Sequence, residues 1–146
     1  MTSISMLLSV FLAGADPMPQ PDKKELELLA GEWLVQEIEA RGQRYDCKET
    51  TPKMILEIKG DKWIFTGQEK GEITALDPKT NPKCMDLRSV EEGRKGQVDE
   101  AIYKIEGDVL TICLYQGKGK QRPTRFEASP DLADTILVVC QRVKKE

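Results

Sequence analysis

Any chemistry in this chain must come from cysteines, carboxylates, hydroxyls, lysines and arginines, because its 146 residues include no histidine. That absence removes Ser-His and Cys-His nucleophile pairs and histidine-based metal sites together. The four cysteines, Cys47, Cys84, Cys113 and Cys140, show no C-x-x-C spacing, so neither a zinc ribbon nor a dithiol redox motif is present. An even count suits disulfides in an exported chain. The alternative is that all four are thiols acting as small hydrophobes. There is no G-x-S-x-G elbow and no loop resembling an EF-hand. Carboxylates such as Glu37, Glu39, Asp46 and Glu49 are scattered along strand edges. Glycoside hydrolysis would require two of them to converge in space. The densest charge lies in Gly117-Lys118-Gly119-Lys120-Gln121-Arg122-Pro123-Thr124-Arg125, with four cations and no anion. An arginine fork such as Arg122 suits an anionic ligand; the plainer use of the segment is a solvated connection. Its glycines make neither a P-loop nor a dinucleotide fingerprint. The expectation is a protein without enzymatic activity, metal or cofactor.

The elements that would position these residues belong to one domain, given the chain length. Hydrophobic residues make up 39% and charged residues 32%, with a formal net charge of −3. A broad nucleic-acid footprint is not expected at that charge. Ile4 to Ala15 is an uncharged apolar run ending in Ala13-Gly14-Ala15, the small-x-small pattern of a signal-peptidase site. It is too short to span a bilayer comfortably. Residues 1–15 are therefore read as a signal peptide, although no Lys or Arg precedes the apolar run. The mature chain is expected to be secreted or periplasmic and to have no membrane span. Residues 16–21, with alternating prolines, read as a semi-rigid spacer that leaves the new N-terminus mobile. The domain proper is expected over 22–146.

Asp22 is placed to cap a short helix, with Glu25 three residues on as in a capping box. Leu26, Leu29 and Ala30 share a face, and Gly31 is expected as the C-cap. From Trp33 onward the apolar pattern has period two. Candidate strands are Trp33–Glu39, Met54–Lys59, Lys62–Gly67, Glu72–Asp77, Cys84–Ser89, Val98–Ile105, Val109–Tyr115 and Thr135–Val143. Gly60-Asp61 and Gly107-Asp108 have hairpin spacing. About eight short strands with such links predict an antiparallel barrel or sandwich. Met54, Leu56 and Ile58 share a face, as do Trp63 and Phe65, Tyr103 and Ile105, and Leu110, Ile112 and Leu114. In a barrel of about eight strands the inward set either fills the core or lines one ligand cavity, and periodicity does not choose between them.

Gly31-Glu32-Trp33, opening the first strand after a short helix, resembles the G-x-W motif of lipocalins. In that family the Trp closes the barrel floor beneath an Arg from the last strand, and Arg142 matches that Arg by position. A guanidinium over an indole face is favourable. From about Leu29 to Lys144 the chain also resembles an uncharacterised lipocalin-like domain family abundant in planctomycete bacteria. The resemblance is carried by Leu29-Ala30-Gly31-Glu32-Trp33, Gly60-Asp61-Lys62-Trp63, Asp77-Pro78-Lys79, Gly107-Asp108-Val109-Leu110-Thr111-Ile112-Cys113 and Arg122-Pro123-Thr124. It implies an all-β, lipocalin-like, up-and-down barrel with a short N-terminal helix and no defined activity. Cys84 and Cys140 depart from the family pattern. On the lipocalin path Cys47 would lie at the open mouth and Cys84 near the closed end, too far apart to bridge. Cys113 and Cys140, mid-strand on the last two strands, are the favoured disulfide on that path.

Two functions follow as expectations. One is a monomeric exported binding protein holding a small apolar or amphipathic ligand lined by Leu56, Trp63, Phe65, Tyr103 and Leu114, with Arg122 at the mouth. The other is an interaction module with a filled core that contacts another envelope protein.

Overall fold

The computed structural model describes residues 18–117, 121–128 and 134–144. The proposed leader lies outside the described residues. The helix α1, Lys23–Leu29, begins where the Asp22 side chain accepts a hydrogen bond from the Lys24 amide at 3.2 Å. Nine strands follow: β1 Gly31–Ala40, β2 Gln43–Asp46, β3 Ile55–Lys59, β4 Lys62–Phe65 and β5 Gln68–Asp77, then β6 Lys83–Ser89, β7 Val98–Glu106, β8 Val109–Tyr115 and β9 Thr135–Arg142. All neighbours are antiparallel, in the order β2-β1-β3-β4-β5-β6-β7-β8-β9, and β1 also pairs with β9. That last pairing closes β1 and β3–β9 into an eight-stranded, lipocalin-like barrel.

The eight expected strands are all present, with β5 beginning at Gln68, four residues before the first strand position expected there. β2 is additional. Its Gln43-Arg44-Tyr45-Asp46 is exposed throughout, so no apolar alternation marks it. β1 is long enough to share one edge: Gly31–Leu34 pair with β3, and Glu37–Ala40 pair with β2. Its other edge runs along β9 from Trp33↔Arg142 to Ala40↔Ile136, with a bulge between Val35 and Glu37.

The closed end is sealed by charge and aromatic contacts together. Trp33 is fully buried and its Nε1 donates to the Leu29 carbonyl at 2.9 Å. The Arg142 guanidinium lies 4.1 Å from the Trp33 ring centroid. It also donates to the carbonyls of Ala30 at 3.0 Å and Leu28 at 2.9 Å. A helix end leaves carbonyls without intrahelical partners, and a cation there also suits the helix dipole. Seven residues are too few to be helical alone, so these barrel groups hold α1 in place. Gly31 does not end the helix as its C-cap. Ala30 does so in an extended conformation, and Gly31 opens β1 with φ +122. A Cβ there would meet an Arg142 nitrogen at 3.3 Å, so both backbone conformation and space favour glycine.

Glu25 also departs from the expected capping box. It is buried, and its Oε1 accepts from the Tyr103 hydroxyl at 3.0 Å and the Lys83 ammonium at 2.9 Å. Helix α1 is thus pinned to β6 and β7 as well as to β9. The later part of the proline spacer is engaged too: the Pro19 carbonyl accepts from the Leu76 amide at 3.1 Å.

Above this floor the lower interior is filled. Val35, Ile58, Ile73, Met85, Leu110 and Ile112 are at most 1% exposed. Fully burying each such side chain contributes roughly 1.5–3 kcal/mol. A separate cluster forms on the outer wall from Ile102, Cys113, Ala128 and Leu137, with Cys84 and Phe126 against it. Residues 121–128 cross that wall as a strap.

The expected Cys113–Cys140 bridge is not formed; all four cysteines are free thiols. Cys113 belongs to the outer cluster and Cys140 to the inner core. Cys113 pairs in register with Leu137 and Cys140 with Leu110, an offset of three positions along the ladder. Residues of opposite facing and unequal height cannot meet disulfide geometry. Burial pushes the Cys113 thiol up, and pushes Cys140 up to about 12, with the Cys47 thiol adding to the latter.

Two outcomes are expected. Arg142→Met should lower unfolding free energy by about 3 kcal/mol, combining a lost cation–π contact and two charged hydrogen bonds. A guanidinium chloride titration showing less than about 0.5 kcal/mol would contradict this role. In the reduced native protein at pH 8, iodoacetamide should modify the partly buried Cys84 and spare the fully buried Cys140 until denaturant is added. Equal rates would contradict the inward placement of Cys140.

Candidate functional site

The β4–β5 turn and the β6–β7 loop lie at the barrel end opposite α1. Between them is a recess of about 280 Å³, lined by Ile38, Leu56, Trp63, Phe65, Leu114, Ile136 and Val138, with Lys70, Glu91 and Gln116 at its edge. The apolar residues arrive by period-two alternation on β1, β3, β4, β8 and β9. Their inward neighbours further down are packed, so the recess is a cup rather than a tunnel. A smaller crevice of about 70 Å³ adjoins it beneath the rim and reaches Leu87, Ser89, Arg94 and Asp99.

The rim is built by residues 89–97, between β6 and β7. The Ser89 amide donates to Gln97 O at 2.8 Å, Gly96 N to Ser89 O at 2.9 Å, and Gln97 N to Arg94 O at 3.0 Å. The Glu91 amide donates to the Ser89 hydroxyl at 3.2 Å, and the Gln97 side chain reaches the Gln116 and Gly117 carbonyls. So dense a set of local bonds makes this a fixed wall. Four charges at the rim form a chain: Lys70 to Glu91 at 3.0 Å, Glu91 to Arg94 at 3.6 Å, and Arg94 to Asp99 at 2.7 Å. Asp99 is buried. Burial raises its carboxyl above the ordinary 3.8, opposed by the hydrogen bond and charge of Arg94, while the charge of Glu91 adds to the rise.

Of the residues expected to line a ligand site, Leu56, Trp63, Phe65 and Leu114 come together in the cup. Tyr103 does not. It is buried at the closed end, where burial first, and then Glu25, push its hydroxyl well above the ordinary range. Arg122 does not either. It sits on the outer wall, donating to the carbonyls of Ala101 at 2.8 Å and Met85 at 3.0 Å. It pairs there with Asp86 at 2.6 Å and Glu100 at 3.4 Å. The fork is therefore committed to holding the strap. Lys118 and Lys120 of the basic segment lie outside the described residues, and Arg125 pairs with Glu127 at 3.3 Å.

A larger recess of about 360 Å³ flanks the strap, lined partly by Pro82, Cys84, Ile102 and Pro123. It is a surface groove left where a segment crosses a sheet, and its one cation is Arg122, already neutralised. Size alone therefore does not mark the site.

Sequence reasoning missed Ile38, Ile136 and Val138, although all three follow the alternation of their strands. It also missed Lys70 and Glu91. No local pattern announces that pair, because the mouth brings together residues 21 positions apart. Among the described residues, no three Cys, Asp or Glu side chains are grouped to hold a metal ion, and no helix is long and apolar enough to cross a membrane.

The raised Asp99 carboxyl has a defined pH signature. The folded state binds this proton more tightly than the unfolded state does. Between pH 3.8 and the raised midpoint the native protein therefore carries more protons, and this contribution to stability falls as pH rises. A carbon-13 titration of the Asp99 carboxyl should give a midpoint above 3.8; a midpoint at or below it would contradict the burial described. Comparison with family models, with curated proteins and with solved structures finds no match to this chain.

Proposed function

We propose that this protein is an exported, non-enzymatic binding protein that takes one small amphipathic molecule into the mouth of its barrel. The observation that carries this reading is the cup itself, an apolar wall of seven side chains beside a charged rim on a rigid loop. Ligand sites are typically concave and mostly apolar, with a few placed polar groups. At about 280 Å³ the cup is at the small end of such sites. A short chain or a single ring system therefore fits better than a long lipid. Export and a place in the lipocalin-like family abundant in planctomycetes belong to the same proposal. They rest on the apolar leader and on the Trp33–Arg142 pair with its flanking motifs. A ligand and a monomer suffice for it; no cofactor is invoked.

The packed lower barrel favours a second reading, an interaction module whose partner is another envelope protein. Native mass spectrometry of protein purified from its source separates the two: a small molecule retained by the monomer supports the first, and an empty chain with a co-purified protein supports the second.

The cup can also be tested directly. The uncharged dye N-phenyl-1-naphthylamine should brighten on binding and quench Trp63, which lines the cup, more than Trp33, which is sealed at the floor. Val138→Trp should fill the cup and weaken dye binding by at least about tenfold, near 1.4 kcal/mol. Leu28→Ser, on the exposed helix face, should not. Undiminished binding to the Val138→Trp protein would contradict the proposal.

A further inference from the structure

The rim bears on which polar head the cup accepts, an inference that rests on the binding reading above. Lys70 and Glu91 both line the cup and stand 3.0 Å apart, each about one-third exposed. They present an ammonium donor and a carboxylate acceptor side by side. Behind them Arg94 and Asp99 are paired at 2.7 Å. Lys70 and Arg94 thus meet Glu91 and Asp99, and the same loop adds one charge of each sign, Glu92 and Lys95, both exposed, so these rim charges balance. Gln116, the other polar residue at the cup's edge, is neutral.

A charged ligand head is disfavoured by this arrangement in either sign. A carboxylate that approaches Lys70 comes against Glu91, and an ammonium that approaches Glu91 comes against Lys70. Either head must separate the pair or accept a like charge at close range, which is costly at a partly dry site. The loop bonds of residues 89–97 oppose a movement of Glu91 away from Lys70. A hydroxyl or primary amide has no such conflict. It accepts from Lys70 and donates to Glu91 at once, since each group keeps spare hydrogen-bonding capacity. We infer that the Lys70–Glu91 pair selects single-chain amphiphiles with an uncharged donor–acceptor head, and excludes those with anionic or cationic heads.

The test uses three eight-carbon probes, octanol, octanoate and octylammonium, titrated at pH 7 against the full chain and followed by Trp63 fluorescence. An alcohol partitions from water more readily than an ion whatever the site, so the wild-type ranking alone does not decide. The deciding readout is how affinity ratios change in two variants. Glu91→Gln should raise the octanoate-to-octanol affinity ratio by about tenfold, and Lys70→Met should raise the octylammonium-to-octanol ratio by a similar factor. Circular dichroism and the unfolding midpoint establish that each variant is folded. Should one variant not fold, the other ratio still decides. Octanol binding with both ratios unchanged would overturn the head-group inference and leave the cup intact as a binding site. If none of the three probes binds the wild-type protein, both the inference and the binding reading beneath it fall.

Discussion

The pairing of the first strand with the last is the constraint on which this fold depends. β1 and β9 run side by side from Trp33↔Arg142 to Ala40↔Ile136, and without that ladder the remaining strands form an open sheet with two edges. The pairing also sets Arg142 over Trp33 and within reach of two carbonyls at the end of α1. One side chain therefore joins barrel closure, the floor and the helix. The Glu25–Tyr103–Lys83 contacts fix the same helix on the far side of the floor. A helix too short to stand alone becomes a plug because the barrel supplies its missing partners.

Closure at one end decides what is left at the other. An eight-stranded barrel encloses a space that side chains just fill. Here Trp33, Tyr103, Met85 and the aliphatic residues of β3, β5 and β8 fill its lower part. Towards the mouth Ile38, Trp63, Phe65, Ile136 and Val138 are only partly buried, and with the buried Leu56 and Leu114 they line the cup. The bonded loop of residues 89–97 then adds polarity along one side of the opening. The strap of residues 121–128 lies on the outside of the barrel, so its Arg122 bears on wall stability and not on the cup.

Much of this architecture could be read from residue order, because it follows from local rules. The alternation of Leu110, Ile112 and Leu114 assigns β8 and its inward face, and Gly107-Asp108 places the hairpin before it. A family motif links Trp33 and Arg142, and they are partners in the fold. The misreadings have a common origin in tertiary contacts. Glu25 has the spacing of a capping box, yet a buried tyrosine and a lysine more than fifty residues away claim its carboxylate. Cys113 and Cys140 lie on neighbouring strands, but a register offset and opposite facing separate them. Tyr103 faces inward as alternation requires, but at the floor instead of the mouth. β2 carries no apolar residue pointing to a core, and it exists because the upper half of β1 needs a partner. The Lys70–Glu91 pair depends on strand shear and loop path together, which no short window of sequence contains.

Among the described residues, packing divides the barrel into a sealed floor and an open cup. Methyl NMR on isotope-labelled protein titrated with N-phenyl-1-naphthylamine tests this division most directly. Shifts should concentrate in the methyls of Ile38, Leu56, Leu114, Ile136 and Val138, while those of Leu29, Ile73 and Leu110 stay in place. Shifts of equal size among the floor methyls, or shifts gathered around Ile102 and Leu137 on the outer wall, would contradict it.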